Sequence, residues 1–212
     1  DALIDAQDEA GMFTFRKKDH STWGQIYMPW VYSRWMRAYW LTRDVFGSED
    51  RDRWDKALLH GYTGISETCL DRVHNIPTHH AMGLYFAGLT FERKDWVDRA
   101  VAFGHRVSDT QSEHGWWPEH DGPVVSYNFV YVDGIGTLYT MSQDEDLLAC
   151  LDRAARFHAA FAYPDGSMVE TVDGRNWYHT TVRSGNPGFS HTPRGRGFLA
   201  QQHGRLIEAA SD

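Results

Sequence analysis

Apolar positions along the chain recur mostly at helical spacing. Residues 23–40 carry Trp23, Tyr27, Trp30 and Trp35 at intervals of three to five, with Pro29 near the start, and predict an aromatic helix. Gly47-Ser48 breaks the pattern, and a second helix is expected over 50–66, with Trp54, Leu58, Leu59 and Tyr62 on one side. Asn75-Ile76-Pro77 reads as a break, after which Thr78 caps a helix over 79–91. Its Ala81, Gly83, Ala87 and Gly88 allow close helix packing. Trp96, Val97, Ala100, Val101, Gly104 and Val107 mark a helix over 94–109. Residues 115–128 form a loop rich in Gly, Pro and aromatic residues, and a helix over 130–141 follows. Ser142 and Glu145 make a capping box for a helix that places Leu147, Leu148, Leu151, Ala155 and Phe157 in register. A turn at 163–167, a short strand or extended return at 168–172, an irregular stretch at 173–194 and a last helix over 197–210 complete the chain. Residues 1–20 read as a loosely held lead-in.

Seven helices, mostly in antiparallel pairs with long loops at alternate ends, predict an all-α chain with few or no strands. The expected architecture is an incomplete (α/α) toroid forming one domain over 1–212, either an incomplete ring or a fragment of a longer chain. At 212 residues the chain can bury a proper core.

Composition sharpens this only in places. The apolar fraction of 42% is ordinary, but 14% aromatic with nine Trp is high. Flat rings suit both a core and a sugar-binding cleft. A net charge of −8 excludes a general basic surface for nucleic acid. No run is apolar and long enough to span a membrane. Cys69 and Cys150 lack metal-ligand spacing and read as small apolar residues within helices. Glu119-His120-Asp121 resembles a metal cluster, but consecutive positions rarely hold one ion, so no metal and no cofactor are expected. Arg175, His179, Arg183, His191, Arg194 and Arg196 form a basic run that reads either as a solvated loop or as a clamp for carboxylate or sulfate groups.

Three motifs in order carry a resemblance over about half the chain. Asn75 precedes the small-residue helix Ala81-Met-Gly-Leu-Tyr-Phe-Ala-Gly-Leu89. Asp121-Gly122 is followed by Tyr131. Pro164-Asp-Gly-Ser167 leads to Asp173-Gly-Arg175. From residue 75 to about residue 176 the chain resembles the heparinase II/III-like polysaccharide lyases, whose catalytic domain is an incomplete (α/α) toroid. Ile76 stands where that family often has His, and Ser126 near its usual acidic position. The family often carries a β-rich C-terminal domain that is not seen in this sequence, and the resemblance implies a periplasmic or secreted protein, a removed signal peptide being invisible here. It leaves the oligomeric state open.

The reaction it implies is β-elimination on an acidic, uronate-containing glycan. The weakly acidic C5 proton leaves once the neighbouring carboxylate is neutralised. Asn75 takes that neutralising role, with His79 or His80 assisting. Adjacent helical residues point about 100° apart, so one of the pair faces the site, and His80 is favoured. Tyr131 serves as base and acid, with cationic neighbours expected to lower its pKa; Tyr127 is the alternative in the same segment. Trp117, Glu119, Asn128, Arg175 and His191 complete the expected sugar-binding set. Two other readings stay open: a glycoside hydrolase pairing carboxylates from Glu119, Asp121, Asp133 and Glu170, or a non-catalytic glycan-binding domain.

Overall fold

The computed structural model describes residues 2–119, 122–164, 167–169 and 186–211. The chain is mostly helical. Eight α-helices, one two-stranded sheet and two short 3-10 turns occur among the described residues. Within the expected single domain the chain divides into two compact units: residues 1–72 with 79–102, and residues 73–78 with 103–212.

In the first unit the stretch expected as a lead-in carries a short helix and a hairpin. Helix α1 (Ala2–Ala6) is followed by strand β1 (Phe13–Arg16), which pairs antiparallel with β2 (Thr22–Ile26). Phe13 is buried edge-on against Tyr32 at 5.5 Å, and the Tyr32 hydroxyl donates to the Gly11 carbonyl. The helix expected over 23–40 therefore begins only at Pro29: α2 spans Pro29–Thr42. Trp23 and Tyr27 mimic helical spacing, but Gly24 sits at φ +80, a left-handed conformation that glycine adopts without strain, opposite Phe15 in the hairpin. Proline then fits the first helical position, where its missing N–H costs nothing.

Helix α3 (Ser48–Thr68) runs antiparallel to α2. Tyr39 near the end of α2 donates to Asp55 early in α3 (2.7 Å), while Tyr62 late in α3 donates to the Tyr32 carbonyl (2.9 Å). Trp35, Tyr39, Phe46 and Trp54 pack as a ring cluster with centroids 4.8–5.6 Å apart. Helix α4 spans Asn75–Thr90. The expected break at Asn75-Ile76-Pro77 is its first turn, where proline is tolerated, and Thr78 is no cap, its hydroxyl donating back to the His74 carbonyl. Positions 78–88 of α4 are buried without interruption. Helix α5 (Lys94–Thr110) follows a short turn, with Val97 lying close against Gly88.

The second unit is built on α6 (Val125–Ser142), which starts five residues earlier than the pattern predicts and so takes in Tyr127 and Asn128. Only Gln143 and Asp144 separate it from α7 (Glu145–Ala160), and the two helices pack together. The expected Ser142 cap is corrected to Asp144, whose Oδ1 accepts from the Asp146 and Leu147 amides, while Ser142 ends α6. A 3-10 turn at Pro187–His191 and α8 (Pro193–Ser211) close the unit. Phe129, His158, Phe189 and Phe198 form its aromatic core.

Candidate active site

Three segments of the second unit meet at one carboxylate oxygen. Asn75 opens α4, Glu119 lies in the loop before α6, and Tyr131 sits mid-way along α6. Glu119 Oε1 accepts from the Asn75 backbone N–H (3.0 Å), from Asn75 Nδ2 (3.0 Å) and from the Tyr131 hydroxyl (2.8 Å). All three residues are buried: Asn75 is 7% exposed, Glu119 8% and Tyr131 1%. Charge-assisted bonds of this kind are stronger than neutral ones, which offsets the cost of removing a carboxylate from water.

The loop that delivers Glu119 is clamped on both sides. Asn128, one turn before Tyr131, accepts from the Trp117 N–H (2.7 Å) and donates to the Trp117 carbonyl (3.0 Å), reading the loop as a neighbouring strand would. The Trp117 ring stacks flat on Tyr131, centroids 4.7 Å apart at 10°, and its indole N–H donates to the Val107 carbonyl (2.8 Å). Glu119 and Gly122 exchange backbone hydrogen bonds. Gly115 enters the loop at φ +93, where an added Cβ would fall 1.9 Å from the Arg153 carbonyl oxygen, so no larger residue fits.

Among the described residues the surroundings run against one expectation. Cationic neighbours are expected to acidify Tyr131, yet its hydroxyl faces the Glu119 carboxylate. Burial, then the negative charge of Glu119, then the hydrogen bond to it all push the phenol pKa well above the ordinary tyrosine value. At neutral pH the hydroxyl is therefore a proton donor to Glu119.

Of the other expected site residues, Trp117 and Asn128 belong to the clamp. Trp117 is fully buried and presents no free face to a sugar. Tyr127 lies one turn before Tyr131 on α6 and is half-buried. His79 and His80 are buried within the first unit, where the His79 ring packs edge-on against Trp30 at 4.6 Å. His191 is not part of the cluster. Its Nε2 lies 3.1 Å from the Thr140 hydroxyl, nine residues beyond Tyr131 on α6 and thus about 13 Å along its axis. There His191 lines a shallow cavity of about 300 Å³ with Glu145, Leu148, Asp152 and Pro193. Burial lowers its pKa. Arg175 lies outside the described residues, as do His120, Asp121, Glu170, Asp173, His179 and Arg183.

Among the described residues one group has metal-ligand types within reach of each other: His105, Asp144 and Asp146. Asp144 Oδ1 serves as the α7 cap, and its Oδ2 lies 2.8 Å from His105 Nε2.

The sequence ranked Glu119 as a sugar-binding group and missed it as the common partner of Asn75 and Tyr131. No local pattern signals that role, since the partners lie 44 and 12 residues away. Compared with known proteins, the chain matches no family model and no curated sequence.

Proposed function

We propose that this chain is the helical catalytic part of a polysaccharide lyase that cleaves an acidic, uronate-containing glycan by β-elimination. The observation that carries the reading is the convergence of the Asn75 amide and the Tyr131 phenol on one oxygen of Glu119. The amide and phenol that the family resemblance pairs are thus neighbours in the second unit, with a proton acceptor between them.

The phenol need not ionise. As the Tyr131 oxygen takes the C5 proton of the uronate, its own hydrogen passes to Glu119 Oε1 across the 2.8 Å bond. The C5–H electron pair becomes the C4–C5 double bond, and the C4–O4 bond breaks with its electrons on the leaving oxygen. That oxygen collects a proton from Tyr131, which recovers its own from Glu119, so both residues return to their starting states. Asn75 holds Glu119 in line through two hydrogen bonds. Its side-chain amide is also chemically suited to the sugar carboxylate, with Arg175 retained as the cation of that step. Because the phenol is 1% exposed, the reading requires it to become accessible in the substrate complex.

An incomplete (α/α) toroid is part of the same proposal. It is supported by the alternation of helices buried on nearly all sides, α4 and α6, with helices that are apolar on one face, α5 and α7.

Incubation with alginate, heparan sulfate, hyaluronan and ulvan should raise the ultraviolet absorbance of the unsaturated product on at least one polymer. Tyr131→Phe should slow that rise roughly 10²–10⁴-fold. No rise on any of the four refutes the proposal. A glycoside hydrolase is the second reading, favoured by the Glu119 carboxylate beside Tyr131. It predicts new reducing ends without the absorbance, and loss of activity in Glu119→Gln but not in Tyr131→Phe. Asp133 makes a poor second carboxylate, since two helical residues from Tyr131 turns it about 200° away.

A further inference from the structure

We infer that the β1–β2 hairpin of the first unit is a binding surface for an anionic oligosaccharide. Trp23 is 58% exposed, an unusual state for the largest apolar side chain. Its ring is propped on Phe15, centroids 4.6 Å apart, so the indole is held rather than loose. The Lys17 ammonium stands 5.5 Å over the same ring. At the tip, Arg16, Lys17 and Lys18 carry three positive charges against one carboxylate, Asp19, in a chain whose net charge is −8. Asp19 is spent locally, its Oδ1 accepting from the Ser21 amide (2.9 Å) and hydroxyl (2.6 Å). No ion pair engages Arg16, Lys17 or Lys18 among the described residues. Beside them Thr14 and Gln25, bonded to each other at 2.8 Å, are exposed hydrogen-bonding groups.

A propped indole with Lys17 over its ring, and Arg16 and Lys18 beside it without an ion pair among the described residues, fits a ligand that offers a C–H face, hydroxyls and negative charge together. A sugar acid or sulfated sugar offers all three. The turn residues 17–21 are polar throughout, which disfavours insertion into a lipid surface, where apolar residues would lead. The overall negative charge disfavours an extended nucleic-acid footprint. The choice of glycan rests on the lyase reading, but binding is measured apart from turnover.

The test is affinity electrophoresis and calorimetry of the whole chain against alginate and heparin, with neutral dextran, phosphatidylserine vesicles and poly(dT) alongside. Trp23→Ala, and separately the pair Lys17→Glu with Lys18→Glu, should each weaken binding to alginate or heparin at least tenfold, with thermal stability unchanged. Dextran should not bind. Unchanged glycan affinity in both variants overturns the inference, as does tighter binding to vesicles or poly(dT). Loss of affinity in both variants of a chain that eliminates nothing leaves this inference standing and removes the lyase reading. Elimination that needs Tyr131, with affinity indifferent to Trp23 and both lysines, does the reverse.

Discussion

Tyr131→Phe is the most informative single change. It keeps the ring, and with it the flat stack on Trp117, and removes one of the three donors to Glu119 Oε1. A hydrogen bond to a charged group contributes roughly 1.5–3 kcal/mol. Glu119 keeps both Asn75 donors, so the expected loss of stability is about 2 kcal/mol. For a chain of this size that lowers the Tm by roughly 4–8 °C. The assay is denaturant and thermal unfolding of wild type, Tyr131→Phe, Glu119→Gln and the double variant. The double-mutant cycle should return a coupling of at least about 1 kcal/mol, because the two side chains touch. Elimination should fall roughly 10²–10⁴-fold, the contribution of a positioned proton-transfer group. A coupling near zero would refute the claim that Tyr131 and Glu119 form one unit. Elimination within a few-fold of wild type would refute the relay, whatever the stability.

Three further outcomes follow from the same contacts. Asn128→Ala strands the Trp117 N–H and carbonyl in a buried setting, and should cost about 3 kcal/mol in chemical denaturation together with a change in tryptophan fluorescence. Asp144→Ala removes the α7 cap and should cost about 1 kcal/mol by the same measurement, leaving the α6 end intact. Alkaline pH should destabilise the chain steeply. Tyr62 and Tyr131 are buried with pKa values raised in the folded state, chiefly by desolvation. Their contribution is complete below the unfolded tyrosine pKa of about 10 and is lost above it, at about 1.4 kcal/mol per pH unit for each residue. Circular dichroism that stays flat across that range would contradict the burial argument.

The helices α5 and α7 are legible in the sequence because each has one apolar face, and a single face leaves a clear 3.6-residue rhythm. The starts of α4 and α6 are not. Both helices are apolar nearly all round, so the rhythm fades, and the turn-forming Pro77 and the β-prone Val125-Ser-Tyr-Asn-Phe129 point away from helix. The hairpin hides for a different reason: Trp23, Tyr27 and Trp30 keep helical spacing by coincidence, and only the backbone of Gly24 shows the left-handed turn of the strand. Asn75 and Tyr131 are marked by a family likeness, not by any pattern of their own. Glu119 then shows what the likeness leaves out, the electrostatic sign of the surroundings, which depends on packing between segments far apart in sequence.

That sign separates two roles the cluster could play. A buried carboxylate that ties the start of α4, a loop and the middle of α6 together is a sufficient structural staple, and any three donors would serve it. A relay asks more: one donor must carry a transferable proton, and the acceptor must be able to take it. Tyr131 meets the first demand because its surroundings keep it protonated, and Glu119 meets the second because it is a carboxylate rather than an amide. Glu119→Gln keeps an oxygen for Asn75 and Tyr131 to bond but cannot hold the extra proton. A staple should survive that change with modest loss of stability. A relay should not survive it at all, and this makes the gap between stability and turnover in that variant the measure of what the cluster is for.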